Sequence, residues 1–258
     1  MEPRLPLDIL TLIPSYLDGE NVIRTLKTLC STSSLFLHPC RTLRFNRITL
    51  SPLPLPYSRG TLPGKRLSDL LEASPNLSKY IKELAILDFL SGMDARNESW
   101  LVIDIVLPDA LHKLYRNQIT SFTLKRSRPE PWISLPAATR SALIDICRST
   151  SLIELTIRMA PLSLLSECGP SLKRFYALDA ETMKDRNYSP RSRSTAEYIK
   201  FDSLHLSHYR NLDQHLAYLV DPSNKMKKRE IFSASPGDHI CGAYQSRAWA
   251  CKALSLNE

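Results

Sequence analysis

One apolar triplet governs how this chain can fold. Apolar residues at x, x+3 and x+5 recur five times: Ile81, Leu84, Ile86; Ile119, Phe122, Leu124; Leu152, Leu155, Ile157; Leu172, Phe175, Ala177; and Phe201, Leu204, Leu206. The steps between them are 38, 33, 20 and 29 residues. Positions x+3 and x+5 alternate like one face of a strand. Position x falls at an odd offset, and a flat strand would turn it to the opposite side. The unit therefore reads as a short strand whose preceding residue turns inward to a shared core. Helical stretches separate most units: Leu67, Leu70 and Leu71; Ala110, Leu111 and Leu114; Ala142, Leu143, Ile146 and Cys147 after Pro136; and Leu212, Leu216 and Leu219 after the last strand.

Strand, turn and helix recurring at about 20–30 residues resembles irregular leucine-rich repeats. An ordinary α/β domain with a parallel sheet is the alternative. The repeats are expected over 65–220. From Asp221-Pro222-Ser223 the periodicity fails, and 221–258 reads as an irregular tail, either disordered or the stub of a longer array. Residues 46–64 hold a short strand, Phe45-Asn46-Arg47-Ile48-Thr49-Leu50, and a Pro/Gly-rich joint over 51–64. Its prolines argue for a stiff linker rather than an inner strand.

Residues 1–45 differ in pattern. Leu5, Ile9, Leu12, Ile13 and Tyr16 share one helical face, with Leu10 and Leu17 beside it. Asp18-Gly19-Glu20-Asn21 breaks that helix. A second carries Val22, Leu26 and Leu29, a Ser/Thr-rich stretch follows at Cys30–Ser34, and a third helical run spans Leu35 to Phe45. The first helix has more apolar surface than a lone small module needs to bury.

Composition removes several function classes. The chain has 258 residues, 34 Lys+Arg against 26 Asp+Glu, and only 7 glycines. No apolar run is long enough to cross a membrane. Asp8 interrupts the apolar stretch behind Met1-Glu2-Pro3-Arg4, which makes a poor secretory signal. The six cysteines form no CxxC pair and read as reduced thiols of a cytoplasmic or nuclear protein. No two glycines lie closer than Gly60 and Gly64, so no phosphate-cradling loop of the GxGxxG or GKS/GKT kind exists, and no GxSxG elbow occurs. His205 and His208 lack further ligands at metal spacing. No catalytic residue, cofactor or metal is therefore assigned. Two basic clusters, Lys113, Arg116, Lys125, Arg126 and Arg128, and then Lys225, Lys227, Lys228 and Arg229, read as solvated surface. No zinc-finger, RNP-type or helix-turn-helix pattern accompanies them, which argues against a nucleic-acid partner.

The ordered series of motifs resembles the F-box-like proteins abundant in mushroom-forming fungi. It runs Leu5-Pro6-Leu7-Asp8-Ile9-Leu10, then Ile13, Leu17, Leu26 and Leu29, then Ser34-Leu35-Phe36-Leu37-His38-Pro39-Cys40-Arg41. Leu70-Leu71-Glu72-Ala73-Ser74-Pro75-Asn76-Leu77, Tyr80-Ile81-Lys82-Glu83-Leu84, and Trp132 through Leu143 to Ser151-Leu152-Ile153-Glu154-Leu155 continue it. The resemblance covers residues 4–220 and departs from the family at Cys30-Ser31-Thr32, where a more apolar helix is usual. It implies a three-helix F-box-like module followed by a leucine-rich-repeat solenoid. It also implies a non-enzymatic function: a substrate-recognition subunit that docks on a Skp-type adaptor, and through it on a cullin–RING ubiquitin ligase, while the repeats hold a protein substrate. Leu5, Pro6, Ile9 and Ile13 are the expected adaptor contacts, and Leu10, Leu17, Leu26 and Leu29 the module's own core. Alternation on the strands makes Lys125, Glu154, Arg158, Lys173 and Lys200 the expected substrate face. The rival reading is a repeat scaffold or nucleic-acid-associated protein whose N-terminal helices only cap the solenoid.

Overall fold

The computed structural model describes residues 22–52, 61–88, 99–114, 118–126, 132–178 and 201–207. Among the described residues the helix nearest the N-terminus, α1, spans Val22–Thr32. It runs into the Ser/Thr-rich stretch and ends there at Thr32, with the hydroxyls bonded back onto helix carbonyls. Thr28 Oγ1 donates to the Arg24 carbonyl, Ser31 Oγ to Lys27 and Thr32 Oγ1 to Leu29. Ser33 then caps a short 3-10 turn by accepting the Leu35 amide. Helix α2, Leu37–Phe45, follows, and its proline, Pro39, lies in the first turn, where a missing N–H costs nothing.

Six strands form one sheet: β1 Arg47–Leu50, β2 Glu83–Asp88, β3 Ser121–Arg126, β4 Glu154–Arg158, β5 Arg174–Leu178 and β6 Ser203–Ser207. All neighbours are parallel, and their spatial order is their chain order. The described helices cover one face of the sheet. The described helices there are α3 Pro63–Ala73, α4 Trp100–Ile103, α5 Leu107–His112, α6 Ala137–Cys147 and α7 Leu164–Glu167. An order without reversal also lacks the switch-point crevice where doubly wound sheets bind ligands.

The triplets stand in register. Ile48, Leu84, Phe122, Leu155, Phe175 and Leu204 form one row, and Leu50, Ile86, Leu124, Ile157, Ala177 and Leu206 the next. Phe122, Leu124, Leu155, Ile157 and Phe175 are completely buried against Leu107, Leu111, Leu143, Ile146 and Leu165 of the helices. The odd offset of x has a backbone cause. Before each strand, one carbonyl accepts two consecutive amides of the next unit. Asn46 O receives Lys82 and Glu83; Lys82 O receives Thr120 and Ser121; Thr120 O receives Ile153 and Glu154; Ile153 O receives Lys173 and Arg174; Lys173 O receives Asp202 and Ser203. Two successive N–H groups pointing the same way break the alternation by one residue, as a bulge does. Ile81, Ile119, Leu152, Leu172 and Phe201 consequently face the same core as x+3 and are buried.

Polar links tie the helix layer together. Lys113 reaches Glu72 Oε1 at 2.7 Å and Ser68 Oγ at 3.0 Å, joining α5 to α3. His112 approaches Asp145 on α6 at 3.8 Å, and the Arg148 guanidinium at the end of α6 pairs with buried Glu167 on α7. Helix α3 begins with Pro63 in its first turn, inside the Pro/Gly-rich stretch, because proline suits that position. Asp104, buried between α4 and α5, accepts the Gly64 amide at 2.6 Å and the Val106 and Leu107 amides at 3.3 and 3.2 Å. Burial raises its pKa above the usual carboxylate range against the pull of those amides and of Arg66. Gly64 is required there, since a Cβ would lie 2.6 Å from Leu107 Cα.

One reading from the basic clusters is corrected. Arg126 is not surface: it lies wholly buried on the inward side of β3, in register with buried Asp88 of β2. Its Nη1 donates to the Met159 carbonyl at 3.4 Å. Lys113 of the same cluster is engaged by Glu72.

Candidate binding surface

The alternate residues of the strands build the opposite face of the sheet in three rows. The first, at the start of the strands, is Arg47, Glu83, Ser121, Glu154, Arg174 and Ser203. Its charges largely cancel within the row. Arg47 lies 3.9 Å from Glu83, Arg174 Nε lies 2.8 Å from Glu154, and Ser121 Oγ donates to Glu154 at 3.5 Å. The middle row is Thr49, Ala85, Thr123, Thr156, Tyr176 and His205, with the last two rings 6.2 Å apart. The third row, at the strand ends, reads Leu87, Lys125, Arg158 and Leu178, four residues whose register runs on to Ser207 of β6.

The third row differs in charge and in anchoring. Lys125 and Arg158 are register partners on adjacent strands, and no acidic residue shares their row among these four. The Lys125 side chain makes no hydrogen bond or ion pair among the described residues, whereas Arg158 is exposed and engaged. The backbone around them is fixed. Met159 adopts a positive φ of 50°, rare for a residue with a side chain, and its amide donates to the Leu178 carbonyl at 3.2 Å. Trp100 Nε1 donates to the Leu87 carbonyl at 3.2 Å, and Ser99 Oγ to Asp88 at 2.7 Å.

The residues expected to form a substrate face are therefore split. Lys125 and Arg158 come together. Glu154 lies at the other end of its strand, about 13 Å away along the chain, and is held by Arg174. Lys173 is exposed, but its backbone belongs to the two-amide junction before β5. Lys200, and the expected adaptor contacts Leu5, Pro6, Ile9 and Ile13, lie outside the described residues, as do Leu10, Leu17, the helix expected at Leu212–Leu219 and the tail 221–258. Arg174, Tyr176, Thr123, Thr156, Leu87 and Leu178 were not singled out from sequence. The alternation that found Lys125 and Arg158 marks all six.

A second feature lies on the N-terminal helices. An open groove of about 400 Å³ is lined by Leu26, Cys30, Leu37, Cys40, Phe45 and Leu77, with Lys27, Arg41 and Arg44 also on its walls. Leu26 and Cys40 are buried, whereas Leu35 and Leu43 are exposed. His38 Nδ1 lies 3.1 Å from the Tyr80 hydroxyl and ties α2 to the 3-10 turn after α3. Burial, with the hydrogen bond and charge of neighbouring Cys30, pushes the Cys40 thiol up to about 11. The described cysteines, Cys30, Cys40, Cys147 and Cys168, are free thiols. Among the described residues no three His, Cys, Asp or Glu side chains gather as a metal site needs, and no helix is long and apolar enough to cross a membrane.

Comparisons with family models, with curated proteins and with solved structures find no match to this chain.

Proposed function

We propose that the chain is a non-catalytic adaptor: an F-box-like module followed by an irregular leucine-rich-repeat solenoid, acting as the substrate-recognition subunit of an SCF-type ubiquitin ligase. The observation that carries the reading is the regular junction between strands. Six parallel strands in chain order share one backbone hydrogen-bonding device, the arrangement expected when similar strand–helix units stack side by side. Stacked units of this kind expose a continuous strand face suited to holding another protein. The amphipathic pattern of residues 5–17 supports the adaptor half, because an apolar helix face is stable in water only when another surface covers it. A partner groove is one such cover.

Leu5 and Ile9 would contribute apolar anchors to a Skp-type adaptor, and Pro6 would preset the helix start. The test is co-purification of the full chain with a Skp-type adaptor, for the native sequence and for Leu5→Asp/Ile9→Asp. The native chain is expected to retain the adaptor, and the double variant to lose it while keeping its urea midpoint. A native chain that captures no adaptor, or a double variant that loses its fold along with binding, would favour helices that merely cap the repeats.

A further inference from the structure

We infer that Cys30 and Cys40 are a redox pair: a small-molecule disulfide, with glutathione disulfide as the type, converts them into a bridge that ties α1 to α2 at the floor of the groove.

The helices set the placement. Cys30 lies in the last turn of α1 and Cys40 near the start of α2, with the Ser33-capped 3-10 turn between them. Both cysteines line the open groove, and their thiols are hydrogen-bonded to each other. Sulfurs already in that contact need only a small side-chain adjustment to reach the S–S separation of about 2 Å. The two thiols differ in access. Cys30 is partly exposed, whereas Cys40 is 1% exposed. Cys147 and Cys168, the other described cysteines, are sealed in the sheet's core at 0% and 2% exposure. The groove also suits the reagent. Lys27, Arg41 and Arg44 stand on its walls, and no acidic residue occurs between Val22 and Arg47. An anionic disulfide such as that of glutathione is drawn to such a surface.

The exchange proceeds in two steps. The Cys30 thiol gives up its proton, and its sulfur attacks one sulfur of glutathione disulfide. The S–S bond of the reagent breaks, and the departing glutathione takes up the proton. Loss of the Cys30 thiol removes the hydrogen bond and charge that help to keep Cys40 protonated, which leaves burial alone. Cys40 then gives up its proton, attacks the Cys30 sulfur and expels the second glutathione, which carries that proton away. Two thiols are thus oxidised to one disulfide, and one glutathione disulfide is reduced to two glutathiones. The bridge locks α1 against α2 and takes both thiols out of the groove lining, so the groove's shape follows the redox state.

Trypsin cleavage after Lys27 and Arg41 puts both cysteines on one fragment, residues 28–41. The reduced full chain is equilibrated with increasing glutathione disulfide at fixed glutathione, both folded and in denaturing urea. It is then quenched in acid, alkylated, digested and weighed by mass spectrometry. The fragment is expected to lose both alkyl groups and become lighter by two hydrogens. In the folded chain, half-conversion should need about tenfold less glutathione disulfide than in urea, because the fold holds the sulfurs together. Cys40→Ser should stop at a glutathione adduct on the fragment, whereas Cys30→Ser should acquire little, since Cys40 is buried. A native fragment that stays doubly alkylated, that accumulates a glutathione adduct, or that closes as readily in urea would overturn the proposal. So would equal adduct formation by the two variants. The comparison of folded and unfolded native chain needs no substitution, so it decides the matter even where a variant fails to fold.

Discussion

The sheet and the N-terminal helices bury their apolar residues to very different degrees. In the sheet, the inward residues Phe122, Leu124, Leu155, Ile157 and Phe175 lose all contact with solvent. In helices α1 and α2, only Leu26, Pro39 and Cys40 are buried among residues 24–45, and an open groove lies beside them. The sheet region completes its own core. The described part of the helical region does not, and its apolar residues are spread over a surface that still accommodates a neighbour. Among the described residues, apolar burial is thus concentrated in the sheet region, and partly exposed apolar side chains in the two helices.

The largest test of that contrast is a pair of truncations. Phe122→Ala removes a fully buried ring from the centre of the sheet and should cost about 3–5 kcal/mol in urea unfolding. Leu35→Ala, at 59% exposure on the helical side, should change the unfolding free energy by less than about 0.5 kcal/mol. Comparable costs would erase the distinction. Next in size is Gly64→Ala at the start of α3. The added methyl meets backbone rather than a side chain that could swing away, so overpacking should cost about 1–3 kcal/mol by the same measurement. A neutral result would show that α3 and α5 are loosely joined, and that the sheet's helix layer is no tighter than the N-terminal helices. The smallest effect lies at Cys40. Its thiol is raised to about 11 chiefly by burial, so the protonated form is favoured in the fold. The associated stability is fully present below the ordinary thiol value and is lost as the pH rises through about 11. Iodoacetamide should therefore modify Cys40 slowly at pH 8 and faster as the pH approaches 11. Cys30→Ala should lower the Cys40 thiol part of the way, since burial remains. Rapid labelling of Cys40 at pH 8 would mean that the helical region opens even more than its groove implies.

Much of the sheet was legible because its signal is periodic. Every x+3 and x+5 residue of the five triplets falls in one of two register rows across the sheet. The sixth member was present but was read only as a strand: Phe45, Ile48 and Leu50 obey the same spacing, yet Phe45 closes helix α2 and so belongs to two patterns at once. Arg126 was misread for the opposite reason. Charge suggested surface, while its place two residues after Leu124 on the inward alternation put it inside, as Asp88 is placed two residues after Ile86. Charged residues at the same inward position of consecutive units signal a buried polar site, and that signal outranks a simple count of basic residues. The row at the strand ends was only half legible. Alternation marks Lys125 and Arg158 as outward, but their adjacency depends on strand register across a gap of more than thirty residues. No local pattern carries that information. For the same reason the Arg174 clamp on Glu154 was not foreseen.

The two-amide junction has an evolutionary consequence. It is built wholly from main-chain atoms, so the pitch from one strand to the next is gauged independently of side-chain identity and of how much polypeptide intervenes. Intervals as different as 20 and 38 residues yield the same seat for the following strand. Insertions and deletions in the helical spacers can therefore accumulate without shifting one strand against the next. A lineage of such proteins could remodel its outer layer freely while the strand face keeps its geometry.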